Sequence, residues 1–124
     1  MKIKVLVVDD SAIMLRTINL LLKEDYDLKL AMNGKQAVEM MMTDSPDVVI
    51  LDYEMPGING EETFDMLNKI NNNNTPIIFL TGVDSEELSE RLGKKNPADY
   101  LVKPPTKKML DESIRKALIE RGKL

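Results

Sequence analysis

Asp9, Asp10, Asp52 and Lys103 are the side chains of this sequence most suited to chemistry, because each stands at the end of an apolar run. Asp9 and Asp10 follow Ile3-Lys4-Val5-Leu6-Val7-Val8, Asp52 follows Val48-Val49-Ile50-Leu51, and Lys103 follows Tyr100-Leu101-Val102 and precedes Pro104. Short β-branched runs ending in acids read as buried parallel strands with polar groups at their carboxyl ends. In open α/β sheets that edge is where ligands bind. Negative charge gathered at one rim with a cation beside it suits a site that handles phosphate.

Composition narrows the chemistry. The 124 residues fit one domain large enough for a real core, and there is neither histidine nor cysteine. A Ser-His-Asp triad, a His- or Cys-ligated zinc and a disulfide framework are excluded. What remains is carboxylate, hydroxyl, lysine and a hard metal ion. A net charge of −4 argues against direct nucleic-acid binding. No apolar stretch is long enough to span a bilayer and no signal-peptide pattern is present, so the expected location is the cytoplasm.

Strand and helix patterns alternate five times along the chain. Strands are expected at 3–8, 28–31, 48–51, 77–80 and 99–102, the second interrupted by Lys29. Helices are expected at 12–23, 35–42, 60–70, 85–94 and 107–120. Ser11 suits an N-cap for the first helix. Inner faces are expected from Leu15, Ile18 and Leu22, from Thr63, Leu67 and Ile70, and from Leu110, Ile114, Ala117 and Leu118. Helix four offers little besides Leu88 and Leu92 among its charges, which suits a solvated or weakly anchored element. Asn71-Asn72-Asn73-Asn74 reads as a loop before Pro76. Such alternation implies an α/β fold: a doubly wound parallel sheet of five strands with helices on both faces.

With these residues in place, the chain resembles the response-regulator receiver domains, the CheY-like modules of two-component signalling. The resemblance rests on Val7-Val8-Asp9-Asp10-Ser11, Asn33-Gly34, Asp47 through Asp52, Met55-Pro56-Gly57 with Gly60, Pro76 through Gly82, and Ala98 through Pro104. It covers nearly the whole chain, read as a single domain over 1–124. It implies the flavodoxin-like strand order 2-1-3-4-5.

The resemblance also implies roles. Asp52 would be the phosphoacceptor, a carboxylate attacking phosphorus to give an aspartyl phosphate. Asp9, Asp10 and Asp52 would hold Mg²⁺ together with the backbone carbonyl of Glu54, Asp10 being the direct ligand of the acidic pair. The Glu54 carboxylate would lie near enough to reach the ion or to repel an incoming phosphoryl group. Lys103 would pair with Asp52 and then with a phosphoryl oxygen, its bond to Pro104 being cis. Pro105 departs from the family pattern, which places a bulky apolar residue there. Thr81 would donate to the phosphoryl group and, with Tyr100, form the switch, while the small Gly82 leaves room. Val83 cannot position an attacking water, so that side chain should not accelerate hydrolysis.

The expected partners are a sensor histidine kinase or phosphotransfer protein upstream, and a downstream protein on the face of helix four, strand five and helix five. The chain would not be a turnover enzyme. Two other readings remain open from sequence. One is a haloacid-dehalogenase-type phosphohydrolase, faintly echoed by Asp52-Tyr53-Glu54; the other is a pseudo-receiver that binds partners without phosphorylation.

Overall fold

The computed structural model describes residues 2–55, 59–71 and 74–124. Pro56 and Gly57 of the Met55-Pro56-Gly57 motif, and Asn72 and Asn73 of the asparagine run, lie outside the described residues. The strands are β1 (Ile3–Val8), β2 (Tyr26–Ala31), β3 (Val48–Asp52), β4 (Ile77–Thr81) and β5 (Asp99–Val102). The helices are α1 (Ala12–Leu22), α2 (Gly34–Thr43), α3 (Gly60–Ile70), α4 (Glu86–Gly93) and α5 (Lys107–Glu120). All strand pairs are parallel and the order is β2-β1-β3-β4-β5, as the resemblance implied.

Successive side chains of a strand point to opposite faces, so each central strand supplies two cores. Val5, Val7, Val48, Ile50, Ile78 and Leu80 pack against α1 and α5 through Leu15, Ile18, Leu110 and Ile114. Leu6, Val8, Val49, Leu51, Ile77 and Phe79 pack on the other side against Ala37, Met41, Phe64, Leu67 and Leu92. Complete burial on both faces explains why β3 and β4 read as unbroken apolar runs.

The helices α1, α2 and α4 differ from expectation by one residue at one or both ends, and three further expectations shift. β2 starts earlier, at Tyr26, because it pairs along β1 from Ile3↔Tyr26. Lys29 is tolerated there since an edge strand exposes alternate residues, and its ammonium lies 3.2 Å from Asp44. β3 and β4 each run one residue further, taking Asp52 and Thr81 into the sheet. Ile70 is 40% exposed and does not belong to the inner face of α3. Phe64 takes that place, stacked on Phe79 with ring centroids 5.0 Å apart.

Side-chain caps fix where the helices begin. Ser11 accepts from Met14 N, Asn33 from Gln36 N, Asn59 from Glu62 N, Ser85 from Leu88 N and Thr106 from Met109 N. Each satisfies an otherwise unpaired amide of a first turn.

Candidate functional site

The sheet register brings the site together. Val8 is opposite Leu51, so Asp9 and Asp52 are the next residues along two neighbouring strands. Thr81 is opposite Val102, which sets Gly82 and Lys103 side by side beyond it. Backbone bonds continue past the strand ends: Asp9 N donates to Ala31 O at 3.0 Å, Tyr53 N to Leu80 O at 2.9 Å and Lys103 N to Thr81 O at 2.7 Å. The site is thus carried on ordered strand ends.

Asp9 and Asp52 are buried, at 1% and 2% exposure, whereas Asp10 is exposed at the rim. One carboxylate oxygen from each of the three lies within 4.8 Å of the others. The Lys103 ammonium sits 3.1 Å from Asp52 Oδ1 and 3.2 Å from Asp9 Oδ2. Asp52 Oδ1 also accepts from Glu54 N at 3.2 Å, and Asp9 Oδ1 from Ser11 N at 2.9 Å. Asp9 Oδ2 is buried and makes no hydrogen bond; the ammonium is near it, but not in bonding geometry. A buried carboxylate oxygen with no donor costs free energy unless a charge compensates it. Together with the all-oxygen donor set, this buried oxygen, compensated only by an ammonium that Asp52 also shares, fits a hard divalent cation such as Mg²⁺.

The electrostatics agree. Burial and the adjacent Asp9 carboxylate push the Asp52 carboxyl up to about 7, against the pull of the Lys103 ammonium. Burial would lower the ammonium of Lys103, but Asp52 and Asp9 hold it above the ordinary lysine value. One cation does not neutralise this many acids.

Gly60 sets how closely α3 approaches. A Cβ there would lie 2.7 Å from the backbone of Asp52 and Tyr53, far inside contact distance. Only glycine lets the helix start against the turn that carries Asp52.

Thr81 is fully buried, and its hydroxyl donates to Glu54 Oε1 while accepting from Val83 N at 3.1 Å. Gly82 N donates to both Glu54 oxygens, at 3.0 and 3.3 Å. Tyr100 is partly buried against the α2–α4 side of the sheet, and its hydroxyl donates to Val83 O at 2.9 Å. Glu54 therefore faces the Thr81 end of β4, an engagement the sequence reading did not foresee. The β3–β4 register creates it: Asp52 pairs with Leu80, so residues just beyond both are neighbours, and no local sequence pattern sets that register. The Lys103-Pro104 peptide is cis, as the resemblance implied, and Pro105 is buried.

The sequence matches the model of the response regulator receiver domain over residues 5–115. The chain belongs to that family. It is 38% identical over 126 residues to a protein-glutamate methylesterase/protein-glutamine glutaminase of Halalkalibacterium halodurans, covering 97% of this chain and 36% of that protein. It is 35% identical over 127 residues to the response regulator MprA of Mycobacterium ulcerans, covering 100% of this chain and 53% of that one. The crystal structure of the Vibrio cholerae chemotaxis protein CheY4 superposes with a TM-score of 0.88 at 28% identity, covering 95% of this chain and 100% of that one. This receiver spans about a third to a half of the two curated relatives, so their further activities are theirs. Membership makes phosphorylation-dependent signalling its class of function, and neither the phosphohydrolase nor the pseudo-receiver reading is favoured. Among the described residues no helix is long and apolar enough to cross a membrane.

Proposed function

We propose that Asp52 accepts a phosphoryl group from the phosphohistidine of a sensor kinase or phosphotransfer protein. An Asp52 oxygen bonds to phosphorus as the P–N bond breaks, and the departing imidazole nitrogen keeps the electron pair and takes a proton. The observation that carries this reading is the Lys103 ammonium paired with both Asp52 and Asp9, two of the three clustered carboxylates. Lys103 holds the nucleophile oriented and then meets a phosphoryl oxygen, so the protein's contribution is positioning and charge stabilisation.

Asp9, Asp10, Asp52 and the Glu54 carbonyl are the groups that would hold Mg²⁺. When bound, Mg²⁺ neutralises the acids and the charge of the phosphoryl oxygens. Thr81 and Tyr100 form the switch, and Val83 links them through its N–H and C=O. A charge change at Asp52 then biases the packing of the β4–α4 loop and β5, and partner proteins read the α4–β5–α5 face. The chain acts as a single receiver domain in the cytoplasm, modifies only itself and carries out no separate turnover reaction.

Incubation with Mg²⁺ and acetyl phosphate tests the assignment. The expected result is one base-labile phosphoryl group per chain, lost in Asp52→Asn and on metal chelation. Steady release of phosphate from added phosphate monoesters would favour a phosphohydrolase instead.

A further inference from the structure

The donors that would greet an incoming phosphoryl oxygen already have an anion. Thr81 donates its hydroxyl to Glu54 Oε1, and the Gly82 amide spans both Glu54 oxygens at 3.0 and 3.3 Å. An N–H and an O–H converging on one negative oxygen at a strand end is the chemistry of oxyanion binding. We propose that the Glu54 carboxylate is a built-in occupant of the phosphoryl-oxygen subsite, satisfying Thr81 and Gly82 until the phosphoryl group on Asp52 displaces it.

Three further observations support this placement. Glu54 lies two residues beyond Asp52, and its own N–H donates to Asp52 Oδ1, so its side chain and a group on Asp52 start from the same turn. A Cβ on Gly82 would find Glu54 Oε1 as its near neighbour, at 3.9 Å, so the open side of that glycine faces the carboxylate. Glu54 as a residue is exposed, which gives its side chain a way out into water. Beyond the carboxylate the bonds run on from Thr81 to Val83 N, and from Val83 O to Tyr100. Glu54 thus holds the bonded arrangement of the β4–α4 loop before any phosphoryl transfer. Transfer exchanges one anion for another on the same two donors, and an internal competitor lowers the apparent affinity for the incoming group. The proposal rests on Asp52 being the phosphoacceptor.

The test uses the full chain, with Glu54→Ala and the isosteric Glu54→Gln beside the unmodified protein. Two readouts are compared: the Gly82 amide proton resonance without any phosphodonor, and the rate of phosphorylation by acetyl phosphate with Mg²⁺. The charge-assisted bond should place the Gly82 proton downfield in the unmodified protein. It should move upfield in Glu54→Ala and by less in Glu54→Gln, whose neutral carbonyl still accepts. Phosphorylation should quicken about tenfold in Glu54→Ala, the ratio expected when an occupant of modest internal affinity is removed. A merely structural role for Glu54 would leave the rate unchanged or slow it, and either outcome overturns the proposal. So does a Gly82 resonance that ignores the substitution. If no variant is phosphorylated at all, the phosphoacceptor reading fails, while the Gly82 resonance still decides whether Glu54 holds the two donors.

Discussion

The middle of the sheet and its β5 edge are built to different standards. Every residue of β3 and β4 is buried, and Asp52 and Thr81 extend those two strands at their carboxyl ends. Every residue of β5 is only partly covered, and the neighbouring α4 has a single buried residue, Leu92. Ion pairs supplement that anchor: Arg91 lies 2.8 Å from Glu61, and Lys95, just past the helix, lies 3.0 Å from Asp65. Each pair joins an exposed side chain to a partly covered one, and surface pairs contribute about 0–1 kcal/mol each. The contrast assigns two tasks. On the proposed function, the phosphoryl chemistry, which needs fixed distances, falls where packing is complete, and the region proposed to switch falls where few apolar contacts oppose a change of shape.

Substitutions on the two sides should therefore behave differently. Phe79→Ala removes a fully buried ring that stacks on Phe64 and meets Tyr53 edge-on. It should cost about 3–5 kcal/mol in denaturant unfolding, with loss of the whole fold. Leu92→Ala should cost about 2–3 kcal/mol, at the low end for a buried leucine, because the site can collapse. Its signature should be local: amides of α4 should exchange faster while those of β3 keep their protection. Equal loss of protection in both elements would break the comparison.

Asp52→Asn probes the charge stored at the centre. The Asp52 carboxyl is raised from 3.8 to about 7 by burial and Asp9, so between those values the folded state binds more protons than the unfolded one. Stability contributed by this group is present at low pH and is lost as pH rises through that window. Without divalent cations, Asp52→Asn should melt a few degrees above the unmodified protein at about pH 8, and the gap should close towards about pH 4. Mg²⁺ should then stabilise the unmodified protein more than the variant, because it binds only the folded cluster. A gap independent of pH would mean that Asp52 is not the group under electrostatic load.

The smallest effect belongs to the edge. Tyr100→Phe removes the bond to Val83 O and should cost about 0.5–1.5 kcal/mol or less. Amide shifts of the β4–α4 loop should move while those of β1 and β3 stay in place.

How much was legible in the sequence follows that division only in part, since β5 was read to the residue at 99–102 although its residues are only partly covered. Parallel strands buried on both faces announce themselves by composition, so β1, β3 and β4 were readable to within a residue, and the ends of β1 and β3 located the acids. Ser11 was read as a cap, whereas Asn33, Asn59, Ser85 and Thr106 do the same work and were not singled out. Ile70 kept helical spacing with Thr63 and Leu67 but closes its helix, where it is left 40% exposed. Spacing reports a face and not what lies opposite. The Glu54 engagement with Thr81 and Gly82 depends on the β3–β4 register and on a rotamer, and neither is written in a local pattern. Nor did periodicity alone yield the strand order, which came with the family resemblance.

The central claim is that Asp52, held by Lys103 within the carboxylate cluster, takes up the phosphoryl group. Borohydride reduction after treatment with acetyl phosphate and Mg²⁺, followed by peptide mapping, tests it most directly, since reduction converts an aspartyl phosphate to homoserine. The account predicts homoserine at position 52 alone, absent without Mg²⁺ and strongly diminished in Lys103→Ala. Homoserine at another aspartate, or at none, would contradict it.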